Sequence, residues 1–163
     1  MSVNRERPHF LILPEDNANE RIANGFFLVD KFAKSNCQVL PAQKGWPSIR
    51  DGFLSNYNSK LKMHPMASMI LLVDFDDLSE EDRIAQVKQF VDAAVADRVF
   101  VLGAKSEPEE LKRTLGSYEK IGKALAKDCL EGTVHTWNHK QLAHNQPEIA
   151  RMQPHIDKIF DGK

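Results

Sequence analysis

Met69-Ile-Leu-Leu-Val-Asp-Phe-Asp-Asp77 is an unbroken apolar run that stops abruptly in acid. A run of this length and composition reads as a strand buried on both faces, as in a parallel sheet. Asp74 and Asp76 stand two positions apart, and on an extended backbone positions i and i+2 point to the same side. If the extended backbone persists to Asp76, both carboxylates face one point. Oxygen-only donors held in this way suit a hard divalent cation such as Mg²⁺ or Mn²⁺. In α/β folds the ends of parallel strands are also where ligands bind.

The rest of the chain alternates strand and helix signals around this segment. Upstream, Phe10-Leu-Ile-Leu13 is a short buried strand stopped by Pro14, and Cys37-Gln-Val-Leu40 is a second one closed by Pro41. Ile22, Phe26, Val29 and Ala33 recur at helical spacing between them. Ile49, Phe53 and Tyr57 line a further helix in the weakly patterned stretch from Gly45 to Pro65. Downstream, Ser79 reads as an N-cap followed by acids that favour the positive end of a helix dipole. Ile84, Val87, Val91 and Val95 continue that helix. Val99-Phe-Val-Leu102 is a fourth strand ending at Gly103.

Beyond Gly103 the pattern turns helical. Ser106-Glu-Pro-Glu109 reads as a capping box with proline in the first turn. Ser117 opens a helix through Ile121, Leu125 and Cys129; Thr133 to Trp137 is a short strand or ordered loop. Asn145-Gln-Pro-Glu148 starts a last helix with Ile149, Met152, Ile156 and Ile159 on one face. The expected fold is α/β: a mostly parallel four-stranded sheet flanked by helices, with a helical C-terminal extension. The expected organisation is a single domain over 1–163, with the α/β core at 9–111 and the extension at 112–163.

Composition narrows the function classes. The chain has 163 residues, 42% apolar and 28% charged, with a formal net charge of -1. That suits one domain with a proper core and argues against a strongly basic nucleic-acid binder, although a local basic groove stays compatible with it. Cys37 and Cys129 lie far apart, with no CxxC pair and no histidine at zinc-finger spacing, and read as reduced cysteines. The N-terminus is polar and charged, unlike a signal peptide, and no apolar run reaches membrane-span length. The expected location is the cytoplasm, away from membranes.

Glu15 and Asp16 follow the first strand as Asp74 and Asp76 follow the third. If those strands are neighbours, four carboxylates gather at one edge, and one must protonate or a cation must neutralise them. Leu13-Pro-Glu-Asp-Asn-Ala-Asn-Glu20 and Asp74-Phe-Asp76 together resemble the TOPRIM domain of topoisomerases, primases and OLD-type nucleases, over roughly Phe10 to Leu111. The resemblance implies a DxD pair, Asp74 and Asp76, that holds Mg²⁺, with Glu15 as general acid/base or further ligand. Small OLD-like members often carry another acidic cluster after the fourth strand, here Ser106-Glu-Pro-Glu-Glu110, which adds Glu107 and Glu109 to the metal candidates. The activity so implied is Mg²⁺-dependent phosphodiester cleavage or transfer on DNA or RNA. Asp16 stands where many members have glycine, and Asp77, Leu78 and Ser79 occupy the stretch where glycine commonly follows the DxD pair. A non-catalytic interaction module with a decayed site is the alternative those departures raise.

Two further resemblances share parts of the pattern. Val73-Asp-Phe-Asp-Asp77 is similar to the first motif of haloacid-dehalogenase-type phosphatases, but two strands precede it and no late acidic pair follows. A response-regulator receiver domain fits the order of Glu15, Asp16 and a phosphoacceptor at Asp74, yet no fifth strand bearing a lysine is visible past Lys105.

Other residues carry two readings each. Glu107, Glu109 and Glu110 equally suit the first turn of a helix. Lys105 is a surface lysine or a point charge for a substrate phosphate. His135, His139 and His144 surround Trp137 without HExxH spacing, and Trp137 reads chiefly as a packing residue between the C-terminal helices and the sheet. No Walker lysine loop, GxGxxG after a strand or GxSxG elbow occurs, which disfavours P-loop and serine-esterase chemistry.

Overall fold

The computed structural model of the chain describes residues 3–160. Four strands form one parallel sheet: β1 (His9–Pro14), β2 (Cys37–Val39), β3 (Ala67–Leu72) and β4 (Val99–Leu102), in the order β2-β1-β3-β4. The register runs His9 opposite Ala67 to Pro14 opposite Leu72, and Met69 opposite Val99 to Leu72 opposite Leu102. Every side chain of β1, β3 and β4 is buried, because both faces of the sheet are covered. Alternate residues feed two cores. Phe10, Ile12, Ile70, Leu72, Phe100 and Leu102 enter one, while Leu11, Leu13, Met69, Leu71, Val99 and Val101 enter the other.

The connections place the helices. The chain steps from β1 outward to β2, returns across β1 to β3 and goes on to β4, so right-handed crossovers put the first helix on one face and the next ones on the other. α1 (Asn17–Gly25) packs into the first core. α2 (Trp46–Gly52), α3 (Asn58–Met63), the turn between them and α4 (Glu80–Lys88) supply Ile49, Phe53, Tyr57, Leu61 and Val87 to the second. A single π turn, Phe53–Tyr57, joins α2 to α3. An apolar stripe repeating every four residues drifts by about 40° per step on a 3.6-residue helix, and one wider turn takes that drift back.

α5 (Pro108–Leu115), α6 (Tyr118–Glu131) and α7 (Gln146–Ile159) return to the first face, where Leu111, Ile121, Leu125, Met152 and Ile156 join the same core as β1 and β3. α1 and α6 touch backbone to backbone. A Cβ on Gly25 would come 2.2 Å from the Glu119 carbonyl oxygen, and one on Gly122 would come 1.8 Å from that of Ile22. Trp137 is 2% exposed, donates its indole N–H to Leu125 O and closes this core, as its sequence context suggested. No helix among the described residues is long and apolar enough to cross a membrane.

Several local expectations are corrected. α1 ends at Gly25 and passes into one 3₁₀ turn, Phe26–Leu28, instead of continuing to Ala33. α4 ends at Lys88, short of Val91 and Val95, because Asn58 of α3 donates to Phe90 O and accepts from Asp92 N, turning the chain away. Ser106 does not cap α5; Glu107 occupies that position with no side-chain bond, and Ser106 Oγ donates to Gln141 instead. Of the two readings for Thr133 to Trp137 the ordered loop holds: its turns are fixed by Asp128, which accepts from Thr133 Oγ1 and Thr136 N.

Asn145 precedes α7 as expected but makes no side-chain cap. Its amide accepts from Gly103 N at 3.1 Å and donates to Gly103 O at 2.9 Å. Glu148 accepts from Val101 N, and Arg151 donates to Val99 O. One face of α7 thus supplies to β4 the partners that a fifth strand would have given.

Candidate functional site at the carboxyl edge of the sheet

The order of strands reverses between β1 and β3, and the crevice at such a switch point is the preferred ligand position of an open parallel sheet. Glu15 and Asp74 lie at that crevice. Glu15 is 8% exposed, and its Oε2 accepts from the Asp74 backbone N–H at 2.6 Å. Asn19, buried on α1, donates from Nδ2 to Asp74 Oδ1 at 3.2 Å and to Asp16 Oδ1 at 3.1 Å. Asp16 itself is the N-cap of α1, accepting from Asn19 N. Its place after Glu15 therefore has a structural explanation.

Main-chain pairing to the β4 side continues past β3, from Phe75 N to Ala104 O and from Asp77 N to Lys105 O. The extended backbone nevertheless breaks at Asp76, where φ is 51°, followed by Asp77 at 59°. Two successive non-glycine residues in the left-handed region cost energy and are held by their surroundings. Simple strand alternation therefore does not orient the DxD pair. Asp74 is half-buried toward Glu15 and Asn19, while Asp76 stands at the exposed rim.

Arg83 fixes that rim. It is 2% exposed, on α4, with its guanidinium 4.2 Å over the Trp46 ring. Its Nη2 donates to Asp74 O at 2.7 Å and to Asp76 Oδ2 at 3.1 Å, and its Nη1 donates to Gln86 at 2.8 Å. Phe75 is buried beneath the turn, with the His144 ring 4.5 Å away, edge to face. Burial holds His144 toward its neutral form. Of the three histidines around Trp137 it is the one that borders the acidic turn; His135 is exposed, and His139 accepts from Gln141 N.

The acids are short of compensating charge. Burial, and then the nearby carboxylates of Glu15, Asp16 and Asp76, push Asp74 up to about 7 against the lowering hydrogen bond from Asn19. Glu15 is also raised, chiefly by burial. Glu15 Oε1, Asp74 Oδ2 and Asp76 Oδ1 accept no hydrogen bond from the described residues. No three His, Cys, Asp or Glu side chains among the described residues stand grouped as a metal cage. Glu15 and Asp74 are joined through the Asp74 backbone N–H, and their carboxylates are near enough for Glu15 to raise Asp74 electrostatically. A pair of carboxylate oxygens fits Mg²⁺, which is usually bound through one or two carboxylates and keeps several waters.

Beside this pair, Asp76, Asp77, Lys105, Ser106, Glu107 and Glu110 border an open pocket of about 450 Å³. Gln141 organises its wall, accepting from Ser106 N and donating to Glu110 Oε2 at 2.7 Å. Lys105 is exposed there with no ion pair among the described residues. Glu107 belongs to this pocket, whereas Glu109 turns toward Tyr118. The two candidates drawn from the post-β4 cluster thus part company. Arg83, Asn19 and Gln141 are the site residues that sequence reading missed. Arg83 left one trace: a charge four residues before Val87, on the buried face of α4.

Comparison with protein-family models and with curated proteins returns no match for this chain.

Proposed function

We propose that the carboxyl edge of the sheet is the active centre of a cytoplasmic, TOPRIM-like enzyme that cleaves or transfers phosphodiesters of DNA or RNA with Mg²⁺ or Mn²⁺. The observation that carries this reading is the Glu15–Asp74 contact at the switch point, with Asp74 titrating near neutrality. A carboxyl group poised near the working pH suits general acid/base transfer, and both acids are raised in that direction. In this reading Asp74 would hold the metal with Asp76 contributing from the rim, and Glu15, raised by burial, either moves the proton or serves as a further ligand. Lys105 meets a substrate phosphate as a point charge, and Glu107 belongs to a second position beside it. The chemistry a bound divalent cation supplies is charge stabilisation on the phosphodiester oxygens and activation of the nucleophile.

Calorimetric titration of Mn²⁺ into the wild type and into Asp74→Asn/Asp76→Asn, with folding followed by circular dichroism, tests the reading. Saturable binding that disappears in a folded variant is expected, together with loss of any cleavage of labelled DNA or RNA. Absence of saturable binding in the wild type at millimolar Mn²⁺ overturns it.

A second reading, a non-catalytic interaction module, is favoured by the Arg83–Asp76 ion pair, which partly neutralises the acids from within the protein. It expects no saturable metal site. A third, a receiver-like phosphorylation domain, draws on the β2-β1-β3-β4 order shared with doubly wound receivers. Mass spectrometry after acetyl phosphate and Mg²⁺ treatment checks it, and an unmodified Asp74 rejects it.

A further inference from the structure

At the opposite end of the sheet, on the face that carries α2 and α3, lies a second cavity of about 320 Å³. Its nitrogen-donor side is Arg5, His9, Lys60 and His64, drawn from the N-terminal segment, β1 and the end of α3. Its apolar side is Leu11, Leu40, Tyr57 and Met63, and no carboxylate lines it. From His9 to Glu15 at the acidic edge is about 20 Å along the strand direction at ~3.3 Å per residue.

His9 is the built element of this cavity. It is 1% exposed, and its Nδ1 lies 2.7 Å from the Arg7 carbonyl oxygen. A carbonyl only accepts, so Nδ1 carries the hydrogen and donates. Nε2 makes no hydrogen bond with the described residues and is the ring atom left for the cavity that His9 lines. Arg5, Lys60 and His64 form no ion pair among the described residues. Lys60 instead lies over the Tyr57 ring, with its Nζ 5.6 Å from the centroid. Burial lowers the proton affinity of His9 against the raising hydrogen bond to Arg7, with His64 and Arg5 adding to the lowering; Arg5 and Lys60 bring positive charge to a lining that has no carboxylate.

We propose that this cavity binds a small phosphate monoester with an apolar or aromatic body. The phosphate sits against Arg5, His9, Lys60 and His64, and the body sits over Leu11, Leu40 and Tyr57. A phosphate offers three acceptor oxygens and close to two negative charges, which matches convergent donors from three chain segments better than a single carboxylate does. The volume is near the lower limit of small-molecule sites, enough for one ring and its phosphate. The proposal is independent of the acidic edge. A bound dianion raises the proton affinity of His9, so binding tightens as pH falls, with Arg5, Lys60, His64 and Tyr57 the other titratable groups lining the cavity.

Calorimetry on the full chain with phenyl phosphate, inorganic phosphate and phenol tests this. Phenyl phosphate should saturate, inorganic phosphate should bind more weakly, and phenol should not bind. Arg5→Ala/Lys60→Ala, both at exposed positions, should weaken phenyl phosphate by roughly tenfold or more, the scale of a lost charge-assisted contact. Lys123→Ala on α6 should leave it unchanged. The His9 imidazole resonances should shift on titration in the wild type. Lack of saturation at millimolar phenyl phosphate overturns the proposal, as does equal affinity in the double variant and the Lys123→Ala control.

Discussion

Asp74 is where composition, fold and chemistry meet on one side chain. Its folded-state value of about 7 lies above an unfolded value near 3.9. The folded protein therefore holds the extra proton between those limits, and stability falls as pH rises through that window. Asp74→Asn keeps an acceptor for Asn19 and removes the buried charge. Denaturant unfolding should show it more stable than wild type at pH 7 by about 1–3 kcal/mol, a range reduced for partial exposure. The two proteins should converge toward pH 4. Arg83 carries the opposite sign: Arg83→Met leaves Asp74 O, Gln86 and Asp76 without their donor and should cost about 2–4 kcal/mol, read as a lower denaturant midpoint. Lysine at this position should not restore the loss, because one ammonium cannot reproduce a fork stacked on Trp46. The acids were legible because an apolar run that ends in carboxylates is conspicuous. Arg83 and Asn19 were not, since a basic or amide residue on a helix reads as solvated until the fold shows what it faces.

At the scale of elements, the edge of β4 depends on a helix. Asn145 meets both backbone groups of Gly103, and its loss strands a buried donor and a buried acceptor. Asn145→Ala should therefore destabilise by about 2–3 kcal/mol. Hydrogen exchange at the Gly103 amide should accelerate more than at Ile70, which sits in the middle of the sheet. The sequence pattern placed Asn145 correctly before α7 and assigned it the wrong task. A polar residue before an apolar periodic run looks alike whether it caps its own helix or reaches across to a strand, and Ser106 misled for the same reason. Strand interiors were read well because β1, β3 and β4 are buried on both faces, which leaves little but apolar residues to see. Helix ends were read poorly where a distant side chain, such as Asn58 below α4, decides them.

In the whole molecule, the seam between α1 and α6 holds the first layer onto the sheet. Gly25 admits the backbone of Glu119 and Gly122 that of Ile22, so a methyl group at either position has nowhere to go. Gly122→Ala should cost about 1–3 kcal/mol or more by overpacking, with a thermal midpoint lowered accordingly. Periodicity located α6 but not its partner, because an apolar face states that it will be covered and not by what. The same limit applied to strand order: that Glu15 and Asp74 meet follows from β1 and β3 being neighbours, which no local pattern encodes. The side-chain seal on β4 also has a consequence in time. Asn145 is synthesised about forty residues after Leu102, roughly 2–8 s later at ordinary translation rates. During that interval the nascent sheet has an open border able to pair with a neighbouring chain on the same message. Successful synthesis therefore depends on how quickly the last helix arrives, and codons slowing the ribosome between Gly103 and Asn145 should lower soluble yield while leaving the finished protein unchanged.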